Sequence, residues 1–81
     1  MKAKRTTFEV DGIKEPCIEV GEESCKVRIS KFYHYIGKDT LLVAVFADGE
    51  LNSKEEVKGD YDSLTFADAI RIAKETSAYV H

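Results

Sequence analysis

The stretch Thr40 to Ala47, TLLVAVFA, constrains the fold more than any other feature of the chain. It is apolar at nearly every position, with Gly37-Lys38-Asp39 before it and Asp48-Gly49 after it. A short apolar run between turn signals reads as a strand buried on both faces, at the centre of a sheet. Its apolar part, Leu41 to Ala47, is seven residues long, whereas a helix needs about 20 to cross a bilayer. The rest of the 81-residue chain has to supply this strand with neighbours and a cover.

The segments before it alternate. Thr6 to Val10 places Phe8 and Val10 on one side, expected to face inward, and Thr7 and Glu9 on the other. Asp11-Gly12 then supplies the positive φ angles of a tight hairpin. Pro16 has no N–H for a ladder and marks an edge position or a break, after which Ile18 and Val20 face inward. Gly21 to Ser24 reads as a second turn. A four-residue loop there sets Cys25 opposite Val20 and Cys17 opposite Arg28. The third strand, Cys25 to Ile36, changes phase: Cys25, Val27 and Ile29 share one side, while Phe32, His34 and Ile36 take the other. A bulge near Ser30-Lys31, or a departure from the sheet there, reconciles the halves.

After Asp48-Gly49 the pattern changes. Residues 50–63 are polar and read as a short edge strand around Leu51 or Val57, or as a loop. In LTFADAIRIAKETSAYV, Phe66, Ala69, Ile70, Ala73 and Val80 fall on one helical stripe, with Ile72 and Tyr79 at its margin. Asp68, Arg71, Lys74 and Glu75 lie opposite. Thr65 and Asp68 have the spacing of a capping box, with Ser63 as the alternative cap. The expectation is an α+β fold in one domain over residues 1–81. It is an antiparallel β-meander of four to five strands packed on one C-terminal α-helix. Residues 1–5, with Lys2, Lys4 and Arg5, read as a flexible basic N-terminus, and no apolar segment follows them as in a signal peptide. A soluble, cytoplasmic protein with reduced cysteines is expected.

No constellation in the sequence specifies a catalyst. Nucleophilic catalysis would need Cys17 or Cys25 paired with His34, and an arginine beside Cys17 would lower its pKa. Cys17, Cys25, His34 and His81 lack the short paired spacing of structural zinc ligands. The acid pairs Glu22-Glu23 and Glu55-Glu56 lie in turn or loop segments, where nothing desolvates a general acid. The five glycines are isolated turn residues with no phosphate loop among them. No enzyme, no cofactor and no metal are expected.

Charge carries more information. The formal net charge is −3, but residues 1–38 hold eight Lys/Arg against six Asp/Glu, while residues 39–81 hold four against nine. The excess acids, Asp48, Glu50, Glu55, Glu56, Asp60 and Asp62, with Asp68 beyond them, form a candidate surface for a basic, nucleic-acid-handling protein partner. In size and charge the chain resembles the small phage-encoded anti-defence proteins, anti-CRISPR proteins among them. That resemblance implies an inhibitor or regulator acting by docking. The alternative is a nucleic-acid-binding domain that uses Lys26, Arg28, Lys31, Phe32 and His34 of the third strand. The strands-then-helix order is similar to that of a double-stranded-RNA-binding domain. That family places lysines at the start of its last helix, where this chain has Asp60, Asp62 and Asp68. A homo-oligomer through a free sheet edge is a further expectation.

Overall fold

Two Asp-Gly dipeptides set the geometry of the sheet. In the computed structural model, which describes residues 2–31 and 39–77, Asp11 and Gly12 lie at φ +50° and +79°, and Asp48 and Gly49 at +52° and +82°. These are the angles of two-residue hairpin turns whose twist matches that of the strands they join. The first joins β1 (Ala3–Val10) to β2 (Ile13–Glu22), and the second joins β4 (Thr40–Ala47) to β5 (Glu50–Lys58). With β3 (Cys25–Lys31), the five strands form one antiparallel sheet in the order β1-β2-β3-β4-β5. A 3₁₀ turn (Tyr61–Ser63) leads into α1 (Phe66–Ser77), which completes the α+β meander.

Register decides which side chains meet α1. Ile18 pairs with Ile29 and Ile29 with Val43, while Val20 pairs with Val27 and Val27 with Val45. These residues share one face because side chains alternate along a strand. With Leu41, they pack against Tyr61, Leu64, Ala69, Ile72 and Ala73. Burying each large aliphatic side chain of this set contributes about 1.5–3 kcal/mol. Ala69 and Ala73 are both 0% exposed, and their small side chains let the helix backbone approach the sheet closely. Among the described residues no helix is long and apolar enough to cross a membrane.

The capping box is formed as the spacing predicts. The Thr65 Oγ1 accepts from the Asp68 N–H at 3.1 Å, and the Thr65 N–H donates to Asp68 Oδ2 at 3.3 Å. Thr65 is therefore the cap, and Ser63 belongs to the 3₁₀ turn before it. The buried stripe is rotated from the expected one. Ile72 and Thr76 lie within it, whereas Phe66 is 44% exposed. Contacts at either end of α1 accompany this rotation. At the start, the Arg5 guanidinium lies 5.6 Å from the Phe66 ring. Near the end, the Thr76 hydroxyl donates to Glu55 Oε1 at 3.1 Å, tying the helix to β5. Tyr79 and Val80 lie outside the described residues.

Three further expectations are corrected. Residues 3–5 are part of β1 and not a loose arm: Arg5 donates from Nη2 to the Leu64 carbonyl at 2.9 Å, bolting the strand to the connection before α1. Phe8 and Val10 face away from the helix, because Ala3 and Arg5 occupy the helix side of the same strand. The β2–β3 hairpin has a two-residue turn, Glu23-Ser24, with Glu22 opposite Cys25. This shifts the expected register by two, so Val20 meets Val27 and Cys17 meets Ser30. Gly21 makes the tighter hairpin possible. It lies at φ +104°, and a Cβ there would collide with the Cys25 carbonyl oxygen. Of the two readings left open for residues 50–63, the edge strand holds: β5 runs for nine residues, longer than expected.

Pro16 sits within β2, yet its position is locally an edge. It pairs with Thr7 on one side, while pairing with β3 begins only at Cys17. The described part of β3 ends at Lys31. The predicted phase change there, and the continuation to Ile36, lie outside the described residues.

Candidate functional site

On the face turned away from α1, cross-strand pairing builds two adjacent rows. One runs Lys4–Glu19–Arg28–Ala44–Lys54 and the next Thr6–Cys17–Ser30–Leu42–Glu56. Arg28 dominates the centre. Its guanidinium carbon lies 4.0 Å from the Phe8 ring centroid and 4.9 Å from that of Phe46, so the cation is held between two aromatic rings. Each such contact contributes about 0.5–1 kcal/mol, and the arginine stem adds apolar cover. Beneath this roof lie the small residues Cys17, Ser30 and Ala44, none more than 2% exposed. Arg28, Phe8 and Phe46 thus shelter the centre of the second face, while Val10 and Ile13 at its β1–β2 end remain exposed.

Burial pushes the Cys17 thiol above its ordinary pKa, the Glu19 carboxylate adds to the rise, and Arg28 opposes it. The expected lowering by a neighbouring arginine is overturned, because desolvating a thiolate here outweighs the attraction of the guanidinium. Cys25 faces the helix side, opposite Glu22, so the two free thiols project from different faces. Among the described residues no three His, Cys, Asp or Glu side chains converge as metal ligands. His34 and His81 lie outside the described residues.

The six acidic candidates do not share one surface. Glu55 projects to the helix side, where it accepts from Thr76, and Glu56 projects to the open face. Asp60 caps the 3₁₀ turn, its Oδ1 accepting from the Asp62 N–H at 3.2 Å, and Asp62 lies 3.5 Å from Lys31 Nζ. Asp48 and Glu50 sit at the other end of β5. The nine residues of this strand separate its ends by about 26 Å.

At the Asp48 end, the structure adds acids that sequence proximity does not suggest. The Asp48 N–H donates to the Ser24 carbonyl at 3.3 Å, fastening the β4–β5 turn against the β2–β3 turn. Exposed Glu22 and Glu23 thereby join exposed Asp48 and Glu50 at one end of the sheet. Lys26 reaches toward them, with Nζ 3.5 Å from Glu23 and 3.8 Å from Glu19. Beside this end, on the open face, is a hollow of about 200 Å³ whose wall includes Glu19, Glu23, Lys26, Arg28 and Phe46. Glu22-Glu23 is visible in the sequence as an acid pair, but its meeting with Asp48 depends on hairpin register.

The basic alternative is divided as well. Lys26 and Arg28 lie on the open face, engaged with carboxylates and aromatic rings respectively. Lys31 has the opposite orientation in β3, the one shared with Val27 and Ile29. Phe32 and His34 lie outside the described residues. Comparison of the chain with protein families, curated proteins and solved structures finds no match.

Proposed function

We propose that this chain is a non-enzymatic protein-binding module, an inhibitor or regulator. Its docking surface is the acidic end of the sheet formed by Glu22, Glu23, Asp48 and Glu50, and its partner is a basic protein surface. The observation that carries this reading is the hydrogen bond from the Asp48 N–H to the Ser24 carbonyl, which makes one surface of two acidic turns. Four exposed carboxylates gathered at one end focus a negative potential that speeds encounter with a cationic partner and selects against anionic ones. The hydrogen-bonded turns hold this charge in place before binding, which reduces the ordering cost of association.

An arginine-rich peptide serves as the probe of this surface. The triple variant E22K/E23K/E50K is expected to slow its association at low salt by roughly tenfold, with the difference fading as salt screens the field. Asp48 is left intact because it lies at φ +52°. An unchanged association rate overturns the proposal. So does tighter binding of a single-stranded oligonucleotide than of the peptide, which points to the nucleic-acid alternative instead.

A further inference from the structure

β5 is an edge strand, and among the described residues its outer backbone has no partner strand in the sheet. Which of its groups face outward follows from one bond: the Gly59 N–H donates inward to the Asp39 carbonyl at 2.7 Å. Successive residues of a strand alternate in the direction of their N–H and C=O groups. Val57, like Gly59, therefore bonds toward β4, while Glu56 and Lys58 turn their N–H and C=O groups outward. The chain stays extended beyond the strand, with Asp60 at φ −101° and ψ 114°.

The geometry points to a second copy of this chain as the occupant of that edge, in a symmetric antiparallel dimer whose two-fold axis passes at Val57. In that register Glu56 faces Lys58 of the second copy, and Lys58 faces its Glu56. These are the outward-bonding positions, so the two pairs exchange four backbone hydrogen bonds. Their side chains form opposite-charge pairs on the open face. One step further out, Lys54 faces Asp60. The central pair is Val57 against Val57, a non-hydrogen-bonded pair in which side chains approach closely. Val57 is half-buried and packs against the core, so this contact continues the apolar layer.

Neighbouring registers fail on charge. An axis at Glu56 sets Glu56 against Glu56 and Lys54 against Lys58. An axis at Glu55 keeps two Lys54–Glu56 pairs, but it brings Glu55, which accepts from Thr76, against its own copy in the close pair and gives up the Val57–Val57 contact. The two-fold arrangement uses β5 of each copy and closes at two, whereas pairing β5 with β1 is head-to-tail and builds a ring or an open filament. The acidic hairpin ends then lie about 45 Å apart along the strand direction, beyond the reach of mutual repulsion at physiological salt.

Sedimentation velocity over a concentration series tests this with four proteins: the wild type, E56K, K58E and the swap E56K/K58E. A reversible wild-type dimer is expected, weakened roughly tenfold or more in each single variant, because each turns two attractive cross-strand pairs into repulsive ones. The swap restores dimerisation, since exchanging the two charges leaves an opposite-charge pair at each of the two facing positions. A wild type that stays monomeric, that grows beyond two copies, or whose single variants are not rescued by the swap overturns the proposal. None of these variants alters Glu22, Glu23, Asp48 or Glu50. Arginine-peptide binding by the same samples therefore reports separately on the acidic end.

Discussion

The two faces of the sheet solve the same problem with different chemistry. On the helix side, Ile18, Val20, Val27, Ile29, Leu41, Val43 and Val45 interlock with Ala69, Ile72 and Ala73. On the open side, among the described residues, no second helix covers the sheet, and Arg28 lies between Phe8 and Phe46 above Cys17, Ser30 and Ala44. The first is an apolar layer whose stability comes from area removed from water. The second keeps its charge near solvent and excludes water from only a few small residues. A five-stranded sheet with one helix can therefore leave a face without a helix, with one amphipathic roof over the small residues at its centre and exposed Val10 and Ile13 at its margin.

Three substitutions sharpen this contrast, from the largest effect to the smallest. Ile29→Ala opens a cavity at a residue that is 0% exposed in the apolar layer. It is expected to cost about 3 kcal/mol, read as a lower denaturant midpoint at unchanged slope. A domain this small has little stability in reserve, so partial unfolding at ambient temperature is the visible consequence. Arg28→Ala removes the roof from the other face at about 1–2 kcal/mol. Its particular signature is chemical: the Cys17 thiol, sealed in the wild type, should react with a thiol reagent under native conditions. If the two variants lost equal stability and Cys17 stayed unreactive, the two-face distinction would be wrong.

The third substitution addresses what holds the helix on its face. Thr65→Ala deletes the cap and is expected to cost about 1 kcal/mol. The same box has a pH signature. Hydrogen bonds from Thr65, with help from Arg71, hold the Asp68 carboxyl below the usual aspartate range. A lowered folded-state pKa means stability that is present above the unfolded-state value and lost as pH falls through the folded one. Wild-type stability should therefore decline on the acid side, and Asp68→Asn should flatten that limb while leaving the pH dependence above neutral as it is in the wild type. An identical acid limb in the two proteins would remove Asp68 from the account.

Much of this architecture can be read in local chemistry. Asp11-Gly12 and Asp48-Gly49 mark their turns because few residues accept two consecutive positive φ angles. The TLLVAVFA run is β4, with the bounds its turn residues indicate. Thr65 and Asp68 cap the helix because capping is decided within four residues. Residues 50–58 are less legible. A polar segment reads equally as an edge strand or a loop until a partner strand is known, and pairing with β4 makes these residues β5. The helix stripe is misjudged by part of a turn because the side of α1 that turns inward is set by packing on strands remote in sequence, where Ala69, Ile72 and Ala73 enter the core.

The candidate site is less legible still. Glu22-Glu23 and Asp48-Glu50 are each visible as acids, but no local signal says that their turns touch. Arg28 reads as a phosphate contact when taken with Lys26 and Lys31, and as a clamp only once Phe8 and Phe46 are seen on either side of it. One error in register, a two-residue turn where four residues are expected, is enough to misplace the neighbours of Cys17 and Arg28.

By itself, then, the sequence determined the number of strands to within one, the two Asp-Gly turns, the helix and its cap, and the excess of acid in the second half. These follow from backbone preferences and from alternation, both properties of a few neighbouring residues. Only the tertiary structure decided which face β1 turns to the helix, which carboxylates share a surface, and that residues 50–58 are a strand and not a loop. Those outcomes depend on cross-strand register, and register is set by packing across the whole sheet.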